Sequence, residues 1–522
     1  MCGIAGMFSD KSIDQREKKL FSGVLEKMEH RGFSPNENAQ LDDFCLLGAN
    51  RLEIVDRDNG KQPFLSKDRR IGLVFNGEIY NFIDLRNQLR EGGHKFKTSC
   101  DTEVLLKGYE YWGIEKLCAM IRGIFAFIIY DGNKREIVTV RDPFGVKPMY
   151  WAKVENGLLF ASEIKALIDL NTEILELGPG EIANFKGRGC SDKHYFTPES
   201  IPVNNDITFQ EASLKLKKLV EQAVYKRVQT DLPVAVLLGG VDSGIVLSQA
   251  VKYHKHIKAY TIGRNDEVED VRFARKLCNE MRVPLKVLHT NEQEILSLVP
   301  EVIRCIESFE PNHIRGGIFS YLLARKISRD GFRITLCGEG ADELFAGYSE
   351  FVFWHKRGKP NDIISKRQVF VKELYKTQLK RVDRTSMAFT IETRVPFLDL
   401  ELAGFALSLP PEFLIQEKDS LVIDKFILRE AFKDELPGYA LTQEKRVLSA
   451  GAGFGTNAEE GPFFAHAVEM VDNDEYSFYC GKYPEANFRN KEEVYYFKIF
   501  ENYYPAKNIP FIFNRPFVNR NR

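Results

Sequence analysis

Met1-Cys2-Gly3-Ile4-Ala5-Gly6 decides how the first half of this chain is read. Removal of the initiator methionine would leave Cys2 with a free α-amine, so one residue would carry a thiol and a base. An α-amine titrates near ~8 and a thiol near ~8.5, so proton transfer between them is nearly balanced. A nucleophile activated by its own terminal amine is an established route to acyl transfer. Gly3 and Gly6 let the backbone pass close to a substrate. A small buried hydrophobe at position 2 is the alternative. No basic region followed by an apolar region marks a signal peptide, so Cys2 is expected at the mature end.

Outward from that stretch, residues to about 190 read as short strands bounded by Gly, Asp and Asn: Ile71-Gly-Leu-Val-Phe75, Gly123 to Tyr130, Glu136 to Val140 and Gly157 to Phe160. Two helices are expected, near 14–29 and 82–92. Many strands with few helices imply stacked antiparallel sheets. Asn76-Gly77-Glu78 directly follows an apolar strand. It supplies a side-chain amide and a backbone N–H, the parts of an oxyanion hole; it equally reads as a hairpin turn. Arg51 and Asp101 suit the two charged ends of a free amino acid, since Arg clamps a carboxylate and Asp holds an ammonium. Each alone also reads as a surface ion pair.

Residues about 187–206 are polar and rich in turn formers, a linker between a domain over 2–188 and another over 207–522. Beyond it the pattern alternates. A helix over Thr208 to Gln229 precedes the strand Pro233 to Leu238, a turn Gly239-Gly-Val-Asp-Ser-Gly244, and helix 245–253. Further strands fall at 258–262, 285–289 and 332–336, with helices at 268–281, 294–307 and 317–329. This alternation predicts a parallel sheet covered by helices. The Gly239–Gly244 turn offers backbone N–H groups at a helix N-terminus, a phosphate-binding arrangement, although no Gly-Lys-Ser/Thr of a Walker A loop follows. Cys337-Gly-Glu-Gly-Ala-Asp-Glu343 also follows an apolar strand and would face the same crevice. Asp242 and Asp342 could share a metal there, and capping of the adjoining helices is the alternative.

The chain has 522 residues, too many for one core. Its 73 Lys and Arg nearly cancel its 74 Asp and Glu. That balance argues against a nucleic-acid or membrane-surface partner. Nine scattered Cys without a C-x-x-C pair read as reduced thiols of a cytoplasmic protein. No apolar run is long enough for a transmembrane helix.

With Met1–Gly6, the stretches His30-Arg-Gly32, Arg51-Leu52, Ile54-Val-Asp56, Phe75-Asn-Gly-Glu-Ile-Tyr-Asn81, Arg141-Asp-Pro-Phe-Gly-Val-Lys-Pro148 and Phe160-Ala-Ser-Glu-Ile-Lys165 resemble the class II glutamine amidotransferase domain, an α+β N-terminal-nucleophile fold. The resemblance implies that Cys2 attacks glutamine, with Asn76 and Gly77 stabilising the oxyanion. Arg51, Leu52, Ile54, Val55, Glu78 and Asp101, with Asn76 and Gly77, would hold the glutamine. In the second half, Gly338-Glu-Gly-Ala-Asp-Glu-Leu-Phe-Ala-Gly-Tyr348, Arg381-Val-Asp-Arg384, Arg394-Val-Pro-Phe-Leu-Asp399 and Gln443-Glu-Lys-Arg446 resemble the asparagine synthase domain, an α/β ATP pyrophosphatase-type fold. Together the halves resemble the glutamine-hydrolysing asparagine synthetases. That family implies ATP and aspartate as further substrates, internal passage of ammonia, Mg²⁺ on Asp242 and Asp342, and a homodimer. It implies Leu238, Gly239, Gly240, Asp242, Ser243, Ile262, Cys337 and Gly338 around ATP, and Glu339 with Lys445 at the reacting carboxylate.

Departures gather in the second half. Leu238 runs straight into Gly239 where the family places a Ser, and Cys337 stands where it has Ser. Removing one charge-assisted hydrogen bond costs ~1.5–3 kcal/mol. The stretch Phe309-Glu-Pro-Asn-His-Ile-Arg-Gly-Gly317 also differs, leaving Arg315 as the candidate for the acceptor's carboxylate. Two alternatives follow: an amidotransferase acting on another carboxylate, and a protein with glutaminase activity alone.

Overall fold

The computed structural model describes residues 2–418, 421–455 and 461–514. The chain divides into two compact units. The first is built on the residues up to Phe196, with Met387–Thr390 and the segment from Lys498; the second is built on Thr197–Ser386 and Ile391–Phe497.

In the first unit the β-rich runs form two six-stranded antiparallel sheets. One runs Ile174–Glu176, Tyr150–Val154, Gly157–Ala161, Cys2–Ser9, Cys45–Arg51, Ser34–Asp42. The other runs Gly189–His194, Glu181–Lys186, Glu136–Arg141, Gly123–Asp131, Ile71–Ile79, Phe64–Leu65. Ile4, Phe8, Leu47 and Phe160 of the first sheet share one core with Val74, Ala126, Ile128 and Phe185 of the second. Burial on both faces explains why these strands read as unbroken apolar runs. The outer face of the second sheet, with Phe75, Phe125 and Phe127, packs under the helices Phe82–Glu91 and Asp101–Met120.

The helix Asp101–Met120 was not among the two expected. Its first turns bury Asp101 through Leu106 without interruption, so no polar stripe marks a period, and Gly113 at φ 74° breaks its line. Helix Gln15–Glu26 stands where the sequence places one, started by an Asp14–Glu17 capping box.

The second unit carries a parallel sheet in the order Leu285–His289, Ile257–Gly263, Val234–Leu237, Ile334–Leu336, Glu392–Arg394. Two helices start earlier than the sequence indicates. Val241–Tyr253 begins inside the glycine turn, where Ser243 Oγ accepts the N–H groups of Gly239 and Gly240, both at 3.1 Å. Pro311–Arg329 begins with proline in its first turn, a favourable place, and continues through Gly316-Gly317. A Cβ at 316 would lie 2.5 Å from Arg381 Nη1, and one at 317 would lie 2.3 Å from Ile306 Cδ1. The expected helix 294–307 is split into Glu292–Ser297 and Val299–Ile306. Among the described residues no helix is long and apolar enough to cross a membrane.

Candidate functional sites in the two units

Cys2 opens a central strand and pairs with Arg51 across it. Its backbone N–H donates to Asn76 Oδ1 at 3.0 Å. Asn76 Nδ2 is buried and has no hydrogen-bond partner, a donor aimed at an acceptor that the protein does not supply. Next to it, Gly77 has φ 154°, and a Cβ there would stand 2.1 Å from Ile124 O; no other residue fits. Cys2, Arg51, Leu52, Ile54, Val55, Gly77, Glu78 and Asp101 line one open pocket of about 350 Å³. Arg51 Nη1 and Nη2 donate to the carbonyls of Arg57, Val55 and Asp56 at 2.8–3.2 Å, which shapes the pocket's rim. Asp101 Oδ2 accepts the Ile79 N–H at 3.1 Å. Burial pushes the Cys2 thiol above its usual range, so a thiolate there would need a nearby base.

Gln62 and Gly60 line the same pocket and were not anticipated. The Gln62 amide brackets Phe75, accepting its N–H at 2.6 Å and donating to its carbonyl at 3.0 Å, and Nε2 lies 3.6 Å from Cys2 Sγ. Only tertiary contact ties residue 62 to the strand that carries Asn76.

The remaining motifs of this half brace the site. Glu163 is fully buried and receives Arg31 at 2.6 Å, His30 at 3.0 Å and Lys165 at 2.8 Å. Burial alone would raise its pKa; Lys165, His30 and Arg31 outweigh it and hold the carboxylate well below the usual range. Arg31 Nε donates in turn to the carbonyl of Cys2 at 3.2 Å, and Ser162 Oγ accepts the Ile4 N–H at 3.0 Å. Asp142 gathers the N–H groups of Phe144, Val146 and Lys147 at 2.9–3.1 Å.

In the second unit, the chain builds from Val234–Leu237 through Ile257–Gly263 to Leu285–His289, then resumes on the opposite side with Ile334–Leu336. The sheet order reverses between these two strands, and loops leaving their carboxyl ends open a crevice at that point. Both loops meet there: a Cβ on Gly338 would be 2.8 Å from Asp242 Cβ and 2.9 Å from Ser243 N. Leu238, Ile262 and Cys337 are buried on the adjoining strand ends.

A four-charge cluster fills the crevice floor. Lys425 Nζ lies 2.5 Å from Asp242 Oδ2 and 2.6 Å from Asp342 Oδ1, and Lys445 closes on Asp342 Oδ2. Asp242 Oδ1 is buried without a hydrogen-bond partner. Burial works to raise the Asp342 pKa, but Lys425 and Lys445 bring it to about 2. Glu343 goes the other way: burial, with the Asp342 charge, pushes it to about 7. Burial also pushes Asp270, against Gly239, to about 7. Sequence reading found neither Lys425 nor Asp270.

Glu339 binds Arg381, and Lys445 binds Asp342. Arg315, the expected partner of the acceptor's carboxylate, already holds a carboxylate of the protein. Its Nε donates to Glu492 Oε1 at 2.8 Å, its Nη2 binds the other oxygen, and Tyr496 Oη also reaches Glu492 Oε1 at 2.9 Å. Glu492 is fully buried, so the Arg315 charge is neutralised within the protein.

Residues 1–196 match the family described as a glutamine amidotransferase domain, and residues 215–367 and 361–504 match asparagine synthase. Asparagine synthetase [glutamine-hydrolyzing] 2 of Oryza sativa subsp. japonica is 31% identical over 97% of this chain and 86% of its own. Asparagine synthetase [glutamine-hydrolyzing] of Sandersonia aurantiaca is 31% identical over 98% of each chain.

Proposed function

The chain belongs to the family of glutamine-hydrolysing asparagine synthetases, and on that premise we propose that it transfers ammonia from glutamine to an ATP-activated carboxylate, with aspartate as the acceptor. The observation that carries the synthetic half is the convergence of Asp242, Asp342, Lys425 and Lys445 where the sheet order reverses.

In the first unit, with Met1 removed, the Cys2 α-amine takes the thiol proton as sulfur adds to the carboxamide carbon of glutamine. The oxyanion is met by Asn76 Nδ2, the buried donor left open. Collapse expels ammonia with the transferred proton, and water cleaves the glutamyl thioester to glutamate. Arg51, Glu78 and Asp101 hold the amino-acid end of the glutamine.

In the second unit, the acceptor carboxylate attacks the α-phosphorus of ATP, releasing pyrophosphate. Ammonia then adds to the acyl carbon and AMP departs. Gly239, Gly240 and Ser243 receive the phosphates at the helix N-terminus; Leu238, Ile262, Cys337 and Gly338 border the nucleoside. The two carboxylates suit Mg²⁺, which takes one or two protein carboxylates beside substrate phosphates and supplies charge neutralisation on the leaving pyrophosphate. Lys445 and Glu339, the latter oriented by Arg381, serve the reacting carboxylate.

A second reading has its own observation. Because Glu492 occupies Arg315, the acceptor is a carboxylate other than aspartate. One assay separates the two. Purified protein is given glutamine, ATP, Mg²⁺ and aspartate, and asparagine, glutamate, AMP and pyrophosphate are quantified. Asparagine with stoichiometric AMP and pyrophosphate supports aspartate; glutamate without asparagine overturns it.

A further inference from the structure

Lys425 is not itself part of a quoted motif, yet it lies between Asp242 and Asp342 where a cation would sit. Its ammonium is within 2.6 Å of both carboxylates, and the residue is 1% exposed. The backbone is held at φ 51°, the left-handed region, at the start of helix Phe426–Ala431. Such a conformation costs free energy and persists where surrounding structure imposes it. Gly347 makes the room: a Cβ there would be 2.2 Å from both Lys425 Cε and Asp342 Oδ1.

Two carboxylates, Asp242 and Asp342, face two ammoniums, and the neighbouring Glu339 is paired with Arg381, so a bare divalent ion would bring two uncompensated positive charges into a largely buried site. Among the described residues, no group of three or more His, Cys, Asp or Glu could hold a metal without help. Triphosphate oxygens would change both conditions. They complete the metal's ligand set and accept the ammonium that the metal displaces.

From this arrangement we infer that Lys425 is a built-in stand-in for the divalent cation. It keeps Asp242 and Asp342 converged in the nucleotide-free protein, excludes free metal, and yields its place only to metal arriving with a triphosphate. This inference rests on the reading that the second unit takes ATP.

The test is Mn²⁺ binding by the full-length protein, measured by equilibrium dialysis as the Mn²⁺ held on the protein side in excess of a protein-free side at the same ATP concentration, because ATP itself chelates the ion. Wild type is expected to bind no Mn²⁺ alone and to bind it when ATP is added. Lys425→Met, of similar length without charge, is expected to bind Mn²⁺ without nucleotide, with affinity higher by on the order of tenfold or more. Lys425→Arg is expected to keep the exclusion. Mn²⁺ binding by wild type without ATP overturns the inference and leaves the ATP reading standing. Absence of binding even with ATP overturns the ATP reading and the inference with it. Should Lys425→Met fail to fold, the ATP dependence of wild type decides alone.

Discussion

The backbone N–H of Cys2 donates to Asn76 Oδ1 at 3.0 Å, and Asn76 Nδ2 of the same amide is buried without a partner. One side chain therefore orients the nucleophile and presents a donor. Asn76→Ala is expected to lower kcat for glutamine hydrolysis by about 10²–10³-fold, the usual cost of one oxyanion donor. The KM for glutamine should change little, and product formation from ammonium should persist. A fall confined to KM would remove the oxyanion assignment.

Cys2→Ala is expected to abolish glutamine use while leaving ammonia-dependent synthesis intact, because the proposed function assigns the two chemistries to separate units. Steady-state rates with glutamine and with ammonium chloride check this. Equal impairment of both would show that the sites are not separable.

Glu163→Gln strips the shared counter-charge from Arg31, His30 and Lys165. Breaking a buried ion network by removing one partner costs about 3–5 kcal/mol. Thermal unfolding should show a lower Tm for the first unit. Glutaminase activity should fall before that unit melts, since Arg31 also holds the carbonyl of Cys2. An unchanged Tm would contradict the network's role.

Asp270 lies at about 7 instead of 3.8 because it is buried. Between about pH 4 and 7 the folded protein keeps a proton that the unfolded chain has released. Stability therefore falls as pH rises through that window and levels off above it. Asp270→Asn removes this contribution. Its Tm should match wild type near pH 4 and exceed it by several degrees at pH 8, with Glu343 titrating alike in both proteins. A Tm difference independent of pH would contradict the burial of this charge.

That Cys2, Arg51, Gly77 and Glu78 line one pocket is legible in sequence because they sit at or beside the ends of strands marked by Gly, Asn and Asp. Gln62 was not, since only tertiary pairing with Phe75 brings it near Cys2. In the second unit the two acidic loops were found, each following an apolar strand. Lys425 is 183 residues from Asp242 in sequence and sits in Asp424-Lys-Phe, where nothing distinguishes it from a surface lysine. Arg315 shows the reverse: an arginine near a substrate-like motif drew a functional reading, but a glutamate 177 residues later claims it. Sequence shows which charges exist, and packing decides which neutralise each other.

Phe511 stacks on Tyr150, ring centroids 5.9 Å apart, within the first unit. The second unit's residues lie between them in the chain. On a ribosome adding about 5–20 residues per second, the first unit waits some tens of seconds for this aromatic partner. Begun first, it is not completed first. A nascent chain therefore gains the packing of Phe511 on its first unit only after nearly all of the second unit has been made.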